Sequence, residues 1–188
     1  MATVTVRNGI DVDQLVATIG AIEEQPAIAS FTFKATTTWK DGTLNHAEIG
    51  DFIHNGARVE RPQPFRLTGD EPPVLLGSNA GPNAVELVLA ALGFCYGVGF
   101  VANAAARGID LSELRYEVTG DIDVQSFLGM TRETRPGFSA IRAQAWVRSS
   151  NATAEQLEEL CQYVQDTSPV RDVLANPVPV STSLEVLG

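Results

Sequence analysis

The sequence predicts an α+β protein in which helices pack against a largely antiparallel sheet. Two observations carry this prediction. The first is a long apolar segment of helical character, Ala84 to Ala106, in the middle of the chain. The second is a set of segments on both sides of it in which apolar and polar residues alternate, as they do in half-buried strands. A length of 188 residues suits a single domain, 1–188, with its own buried core.

The N-terminal segment predicts a short amphipathic helix. Asp11 is a favourable N-capping residue, the apolar residues after it recur at helical spacing, and Pro26 ends the pattern. We therefore interpret residues 9–25 as a helical appendage to the domain.

A hairpin and a long loop follow. Residues 29–39 alternate between apolar and polar, and a turn at residues 40–43 leads into a second alternating segment, 44–49. Residues 50–83 are rich in Gly, Pro, Asn and Asp, so we expect a shaped surface loop with at most short strands, such as one at 64–67.

The central segment predicts a helix that is buried on most of its sides. Ala84 to Ala106 is apolar apart from Glu86, Tyr96 and Asn103, and its glycines indicate close approach by another element. The stretch before Asn103, residues 87–102, carries no charge and is shorter than the ~20 strongly apolar residues that a bilayer requires. The sequence therefore favours a core helix over a membrane span.

The C-terminal half predicts strands and a second amphipathic helix. The alternating segments, which we expect to be strands, are 114–124, 138–149 and a terminal strand at 178–187. Between them, Thr153 and Gln156 form a capping-box pattern, and a helix is expected from about Ala154 until Pro169 interrupts it.

Charge and composition exclude several kinds of partner. Lys and Arg number 13 against 23 Asp and Glu, which gives a net charge of −10. Because such a surface repels phosphate backbones and anionic lipids, neither nucleic acid nor a membrane is expected as a partner. The first twenty residues lack the pattern of a signal peptide, so a cytoplasmic location is predicted. No cofactor is expected, because no nucleotide-binding fingerprint occurs.

Two motifs in the C-terminal half resemble a known family. The stretch GPNAVELVLAALGFCYGVGFVANAAARGIDL, followed by RPGFSAI, resembles the central signature of the OsmC/Ohr family of thiol-based hydroperoxide-detoxifying proteins. TSPVRDVLANPVPV resembles its second signature, which contains Cys-Pro-Val. The resemblance covers about residues 31–187. It implies an intertwined homodimer with active sites at the subunit interface.

The resemblance also implies a reaction. A peroxidatic thiolate attacks an organic hydroperoxide, becomes a sulfenic acid and is captured by a resolving cysteine. Cys95 matches the peroxidatic position, but Ser168 stands where the family has its resolving cysteine. The family's glutamate, ten residues before the cysteine, is Val85 here, and the neighbouring Glu86 is interpreted mainly as a structural acid in the first helical turn.

Several other candidate residues are weaker. The family's hairpin arginine has no counterpart in WKDGTLNHAEIG, although arginines of the following loop are alternatives; these are Arg58, Arg61 and Arg66. Cys161 lies two turns before Ser168 on one helix, too far to replace it, and is interpreted as a core residue. A possible metal set has no established ligand spacing and is interpreted as solvated surface; its members are His46, Glu48, Asp51 and His54.

Two functional hypotheses remain open at this point. In the first, the protein is an OsmC-like thiol enzyme that uses Cys95 alone and depends on an external thiol. In the second, it is a non-catalytic dimeric relative that binds an apolar small molecule at the subunit interface. Whether it turns over peroxides, and is therefore an enzyme at all, is not decided by the sequence.

Overall fold

The computed structural model describes residues 4–188, and the chain forms two compact units, residues 1–90 and 91–188. The helices are α1 (Val12–Glu24), α2 (Ala84–Ala106), α3 (Ala154–Thr167) and α4 (Pro169–Ala175). The strands are β1 (Val6–Arg7), β2 (Ile10–Asp11), β3 (Phe31–Thr32), β4 (Thr36–Asp41), β5 (Leu44–Ile49), β6 (Phe52–His54), β7 (Ala57–Val59), β8 (Phe65–Gly69), β9 (Leu111–Asp121) and β10 (Ala140–Ser149). The α+β prediction is confirmed. The single domain stays a prediction.

The first unit contains two sheets of three antiparallel strands, ordered β3-β6-β7 and β4-β5-β8. The predicted hairpin is confirmed as β4 and β5, in which Thr38 pairs with His46. The predicted helical appendage is α1, and the Asp11 side chain caps it by accepting from Gln14 N at 2.9 Å. The short strand expected at 64–67 is confirmed as β8, which pairs with β5, and the predicted loop at 50–83 also contains the short strands β6 and β7.

A buried carboxylate organises the end of the first unit. Asp70 is 4% exposed and accepts hydroxyl hydrogen bonds from Thr43 and Ser78, each at 2.6 Å. It also accepts from the backbone N–H groups of Glu71, Ser78 and Ala80. Hydrogen bonds from Ser78 and Thr43 hold the pKa of Asp70 well below its usual value, because they favour the ionised form. The loop after β8 is therefore folded around one charge.

The second unit has an apolar core. β9 and β10 form an antiparallel hairpin in which Val118 pairs with Ala143, and residues of its inner face pack on α2 and α3. The buried cluster contains Leu92, Tyr96, Phe100, Ala104, Ile109, Leu160 and Val164. α2 and α3 come close at Gly99, where an added Cβ would lie 3.2 Å from a methyl carbon of Val164. Glycine at that position thus permits the approach that the sequence indicated.

The second amphipathic helix also follows the prediction. The capping box between Thr153 and Gln156 is present in both directions, and α3 ends at Thr167, immediately before the Ser168–Pro169 break. Proline has no N–H to continue the ladder and disfavours helical geometry in the residue before it.

Two expectations are wrong for the single chain. Residues 178–187 form no strand, and Val180 and Leu184 are 85% and 88% exposed. The alternation is real, but a strand needs a paired edge, and these residues have none here. α2 buries one face only: Phe94 and Val98, one turn apart, are 74% and 72% exposed. By length and composition α2 is able to cross a membrane, a test that core helices of soluble proteins also pass.

Candidate functional site

The second unit brings Cys95 and Ser168 into contact. Cys95 lies on α2 beside the buried Tyr96, and its Sγ is 3.1 Å from Ser168 Oγ. Ser168 is 5% exposed and connects α3 to α4, while Cys95 is half-buried and has no disulfide. A half-buried thiol and a buried hydroxyl thus share one site.

The local sequence explains the position of Ser168. Because Pro169 ends α3, Ser168 takes an extended conformation, with φ −76° and ψ 116°, and becomes the N-cap of α4. Its Oγ accepts a hydrogen bond from Arg171 N at 3.1 Å. Serine is a preferred residue at such a cap. The proline ends the preceding helix, and the capping hydrogen bond holds the hydroxyl in place.

The register of the two helices separates the cysteines. Cys95 faces Ser168, and four residues further along α2 Gly99 faces Val164, so α2 and α3 run antiparallel at this contact. Cys161 lies seven residues before Ser168, which is ~10 Å along a helix axis. It is half-buried against the core, and Gln165 Nε2 lies 3.6 Å from its sulfur. The geometry favours the interpretation of Cys161 as a core residue.

Two tyrosines and one arginine near this site were not singled out from the sequence. The rings of Tyr96 and Tyr116 lie 5.6 Å apart. Burial raises the pKa of both phenols, and the charge of Arg171 acts in the opposite direction on the pKa of Tyr96. Both phenols therefore stay protonated at neutral pH. Arg171 could have been found from its position three residues after Ser168, since the backbone N–H at that position is the one that an N-cap side chain accepts from.

The remaining acid and arginines have other partners. Glu86 caps α2: its carboxylate accepts from Asn83 N at 2.8 Å, and Asn83 Oδ1 accepts from Glu86 N at 2.9 Å. These are the contacts of a capping box, as the structural interpretation of Glu86 requires. Val85 is half-buried one position earlier.

Each of the three loop arginines has a partner within the first unit. Arg58 forms an ion pair with Asp51, and Arg66 Nε lies 3.0 Å from a carboxylate oxygen of Glu48. Arg61 donates to Gly50 O and stacks over the rings of Phe52 and Phe65. Their suggested role beside Cys95 stays a prediction.

The four residues considered as metal ligands have other partners in the first unit. Its two carboxylates pair with Arg58 and Arg66, and His54 Nε2 lies 2.7 Å from Ile28 O while its ring stacks on Phe31. Within residues 4–188, no group of three or more His, Cys, Asp or Glu side chains is arranged to hold a metal ion.

Solved structures share this fold at low sequence identity. An OsmC-like protein from Mycoplasma pneumoniae superposes with a TM-score of 0.60 at 17% identity, covering 78% of this chain and 89% of that one. An OsmC-like protein of unknown function from Vibrio cholerae gives 0.53 at 15% identity, covering 76% and 92%. The organic hydroperoxide resistance protein OsmC from Legionella pneumophila gives 0.51 at 17% identity, covering 76% and 88%.

The sequence itself gives a family match. No curated protein matches the chain significantly, but residues 77–183 match the family of OsmC-like proteins. This match spans more than half of the chain and contains α2, the β9–β10 hairpin, α3 and α4. It therefore includes Cys95 and Ser168. The chain belongs to the family of OsmC-like proteins.

Proposed function

We propose that the protein reduces organic hydroperoxides with Cys95 as its only reacting cysteine. The carrying observation is the 3.1 Å contact between Cys95 Sγ and Ser168 Oγ. It puts a serine beside the candidate peroxidatic sulfur, at the position where the OsmC/Ohr signature has its resolving cysteine. Membership of the family supports the choice of substrate class.

The chemistry follows from this pair. The Cys95 thiolate attacks the distal oxygen of the hydroperoxide, the O–O bond breaks, and the leaving alkoxide takes a proton to become an alcohol. Cys95 is then a sulfenic acid. Serine cannot form a disulfide, so an external thiol condenses with the sulfenic acid and releases water. A second equivalent of that thiol reduces the mixed disulfide and restores Cys95.

Peroxide consumption with a low-molecular-weight thiol as reductant tests this function. Wild type should consume an organic hydroperoxide catalytically, Cys95→Ala should be inactive, and Cys161→Ala is the matched control that should retain activity. Mass spectrometry after peroxide treatment should find Cys95 as sulfenic acid or mixed disulfide. A Cys95–Cys161 crosslink, or unchanged activity in Cys95→Ala, would contradict the proposal.

Ser168→Cys tests the spatial part of the same proposal. Because residue 168 lies within contact distance of Cys95, the variant should form a Cys95 disulfide after oxidation, visible as a two-proton mass decrease. If peroxide leaves both thiols of the pair free in this variant, the two positions do not meet as proposed.

We also propose that the protein acts as a cytoplasmic homodimer. The exposed Phe94 and Val98 form an apolar stripe on α2, and the exposed apolar residues at 178–187 pair with no strand within residues 4–188. A second copy would cover both, in keeping with the dimer that the family resemblance implies.

Sedimentation measures the assembly directly. At micromolar concentration the wild type should sediment as a dimer of its 20.1 kDa chain, and Phe94→Glu should shift it toward monomer. The matched control is Phe127→Glu, which changes another exposed phenylalanine, on the β9–β10 connection. A wild-type monomer under these conditions would contradict the dimer.

The second candidate function is binding of an apolar small molecule by a non-catalytic dimer. It is favoured by the apolar stripe of Phe94 and Val98 on the same helix as Cys95. This function predicts that Cys95→Ala changes no peroxide consumption and that a ligand co-purifies with the protein. Native mass spectrometry detects such a ligand.

A further inference from the structure

We propose that the Ser168 hydroxyl donates a hydrogen bond to Cys95 and stabilises its thiolate, so that Ser168 is an activating residue rather than a vacant resolving position. The inference deepens the proposed function and rests on its assignment of Cys95 as the reacting thiol. It answers a question left by the sequence, since the helical neighbours of Cys95 offer no group that would activate it.

The direction of the hydrogen bond follows from the charge state of Cys95. A serine hydroxyl has one proton to donate and two lone pairs that accept. One lone pair is already used, because Ser168 Oγ accepts from Arg171 N at 3.1 Å. In the described part of the chain, the acceptor within reach of the hydroxyl proton is Cys95 Sγ. A thiolate has no proton to donate, so with Cys95 ionised the hydroxyl is the donor and the sulfur accepts.

The surroundings increase the effect of this donor. Ser168 is 5% exposed, so water competes little for the hydroxyl. A hydrogen bond to the charged form of a group favours that form, and it does so more strongly where water is excluded. Cys95 itself is half-buried.

Other titratable groups act on this region from each packed element. They are Tyr96 on α2, Tyr116 on β9, Cys161 and Asp166 on α3, and Arg171 on α4. Between residues 4 and 188, the recorded hydrogen-bond partner of Cys95 Sγ is Ser168. Arg171 adds a positive charge at the same turn, but Asp166 lies 4.0 Å from it and offsets that charge. The hydroxyl is thus the group that touches the sulfur.

Alkylation of Cys95 by iodoacetamide, followed across pH, tests the proposal without any peroxide. All variants carry Cys161→Ala so that one thiol reacts. Ser168→Ala should lower the alkylation rate at neutral pH by roughly tenfold and move the profile to higher pH, whereas Ser168→Thr, which keeps the hydroxyl, should restore both. Ser168→Asp keeps an acceptor for Arg171 N–H, but it removes the donor and adds a negative charge beside the sulfur, so it should react more slowly than Ser168→Ala.

The outcomes separate a chemical role from a structural one. Loss of the cap in Ser168→Ala lowers Tm but does not by itself move a pH profile, and Ser168→Asp retains the cap. A folded Ser168→Ala with the wild-type profile overturns the proposal. If no Ser168 variant folds, the protein that keeps Ser168 provides the test by itself. Its alkylation rate at Cys95 should reach half of its maximum at a lower pH in the folded state than in urea. Equal midpoints in the two states overturn the proposal. If the alkylation profile depends on Ser168 but the protein consumes no peroxide, the proposed function is rejected and the present inference is supported.

Discussion

Each of the two compact units is stabilised internally by a different kind of interaction. Every buried hydrophobic residue found between residues 4 and 188 lies in the second unit, where α2, α3 and the β9–β10 hairpin share an apolar cluster. The first unit buries the carboxylate of Asp70 instead, and aromatic residues such as Phe33 and Phe65 are 68% and 58% exposed on it. One unit is thus built by apolar packing and the other by hydrogen bonds and strand pairing.

This difference indicates where each unit obtains its stability. Apolar burial is non-directional and large, so the second unit has a core of its own. Strand pairs with open faces are marginal unless something covers them. The first unit therefore fits the proposed dimer, in which another surface completes it, whereas the second unit carries the Cys95–Ser168 pair on a scaffold that is already packed.

Truncation in the packed core should have the largest effect. Phe100 is 0% exposed, and Phe100→Ala should lower the free energy of unfolding by about 3–5 kcal/mol, because it removes buried apolar surface and leaves a cavity. Phe127→Ala, at a phenylalanine of the same unit that is 72% exposed, should cost less than about 0.5 kcal/mol. Chemical denaturation at one protein concentration measures both. Equal losses would mean that the apolar cluster is not the core.

Neutralising Asp70 should weaken the first unit in a pH-dependent way. The pKa of Asp70 lies below its ordinary value of 3.8, so its contribution to stability is fully present above about 3.8 and is lost as pH falls through the lower, folded-state pKa. Asp70→Asn should destabilise the unit at neutral pH and make its unfolding less sensitive to acid. The control is Asp41→Asn, at the exposed β4–β5 turn. Thermal unfolding followed from pH 7 to 2 distinguishes the two, and identical acid sensitivity would contradict the role of Asp70.

Two glycines of α2 give the smallest effects, and they should differ in sign. A Cβ at Gly99 would lie 3.2 Å from a Val164 methyl carbon. Gly99→Ala should therefore destabilise the protein, because crowding that costs about 1–3 kcal/mol outweighs the gain in helix propensity. A Cβ at Gly97 would meet nothing within 4 Å, so Gly97→Ala should stabilise by about 0.5–1 kcal/mol. Denaturation midpoints test the pair. A loss at Gly97 would mean instead that a second copy approaches α2 there.

Local elements were predictable because their signals lie within a few residues. α2 was predicted with the limits that it has, since an uninterrupted apolar run has clear ends, and the capping box at Thr153 fixed the start of α3. The strands β6 and β7 were missed although Asn55-Gly56 between them is a local turn signal, because each has only three residues, too few to show a clear alternation. The terminal strand was predicted wrongly for the complementary reason: residues 178–187 have the alternation but no partner edge.

The site divides in the same way. The sequence by itself determined that Cys95 lies on a long helix and that Ser168 replaces the cysteine of the Cys-Pro-Val motif. It also determined that Pro169 interrupts the helix at that point. Only the tertiary structure decided that the two residues touch, because 73 residues separate them and their contact depends on the register of α2 against α3. It also decided that Ser168 Oγ accepts from Arg171 N–H while it lies 3.1 Å from the sulfur of Cys95. Residue types can be read in order along a chain, whereas distances between remote side chains exist only after the core has packed.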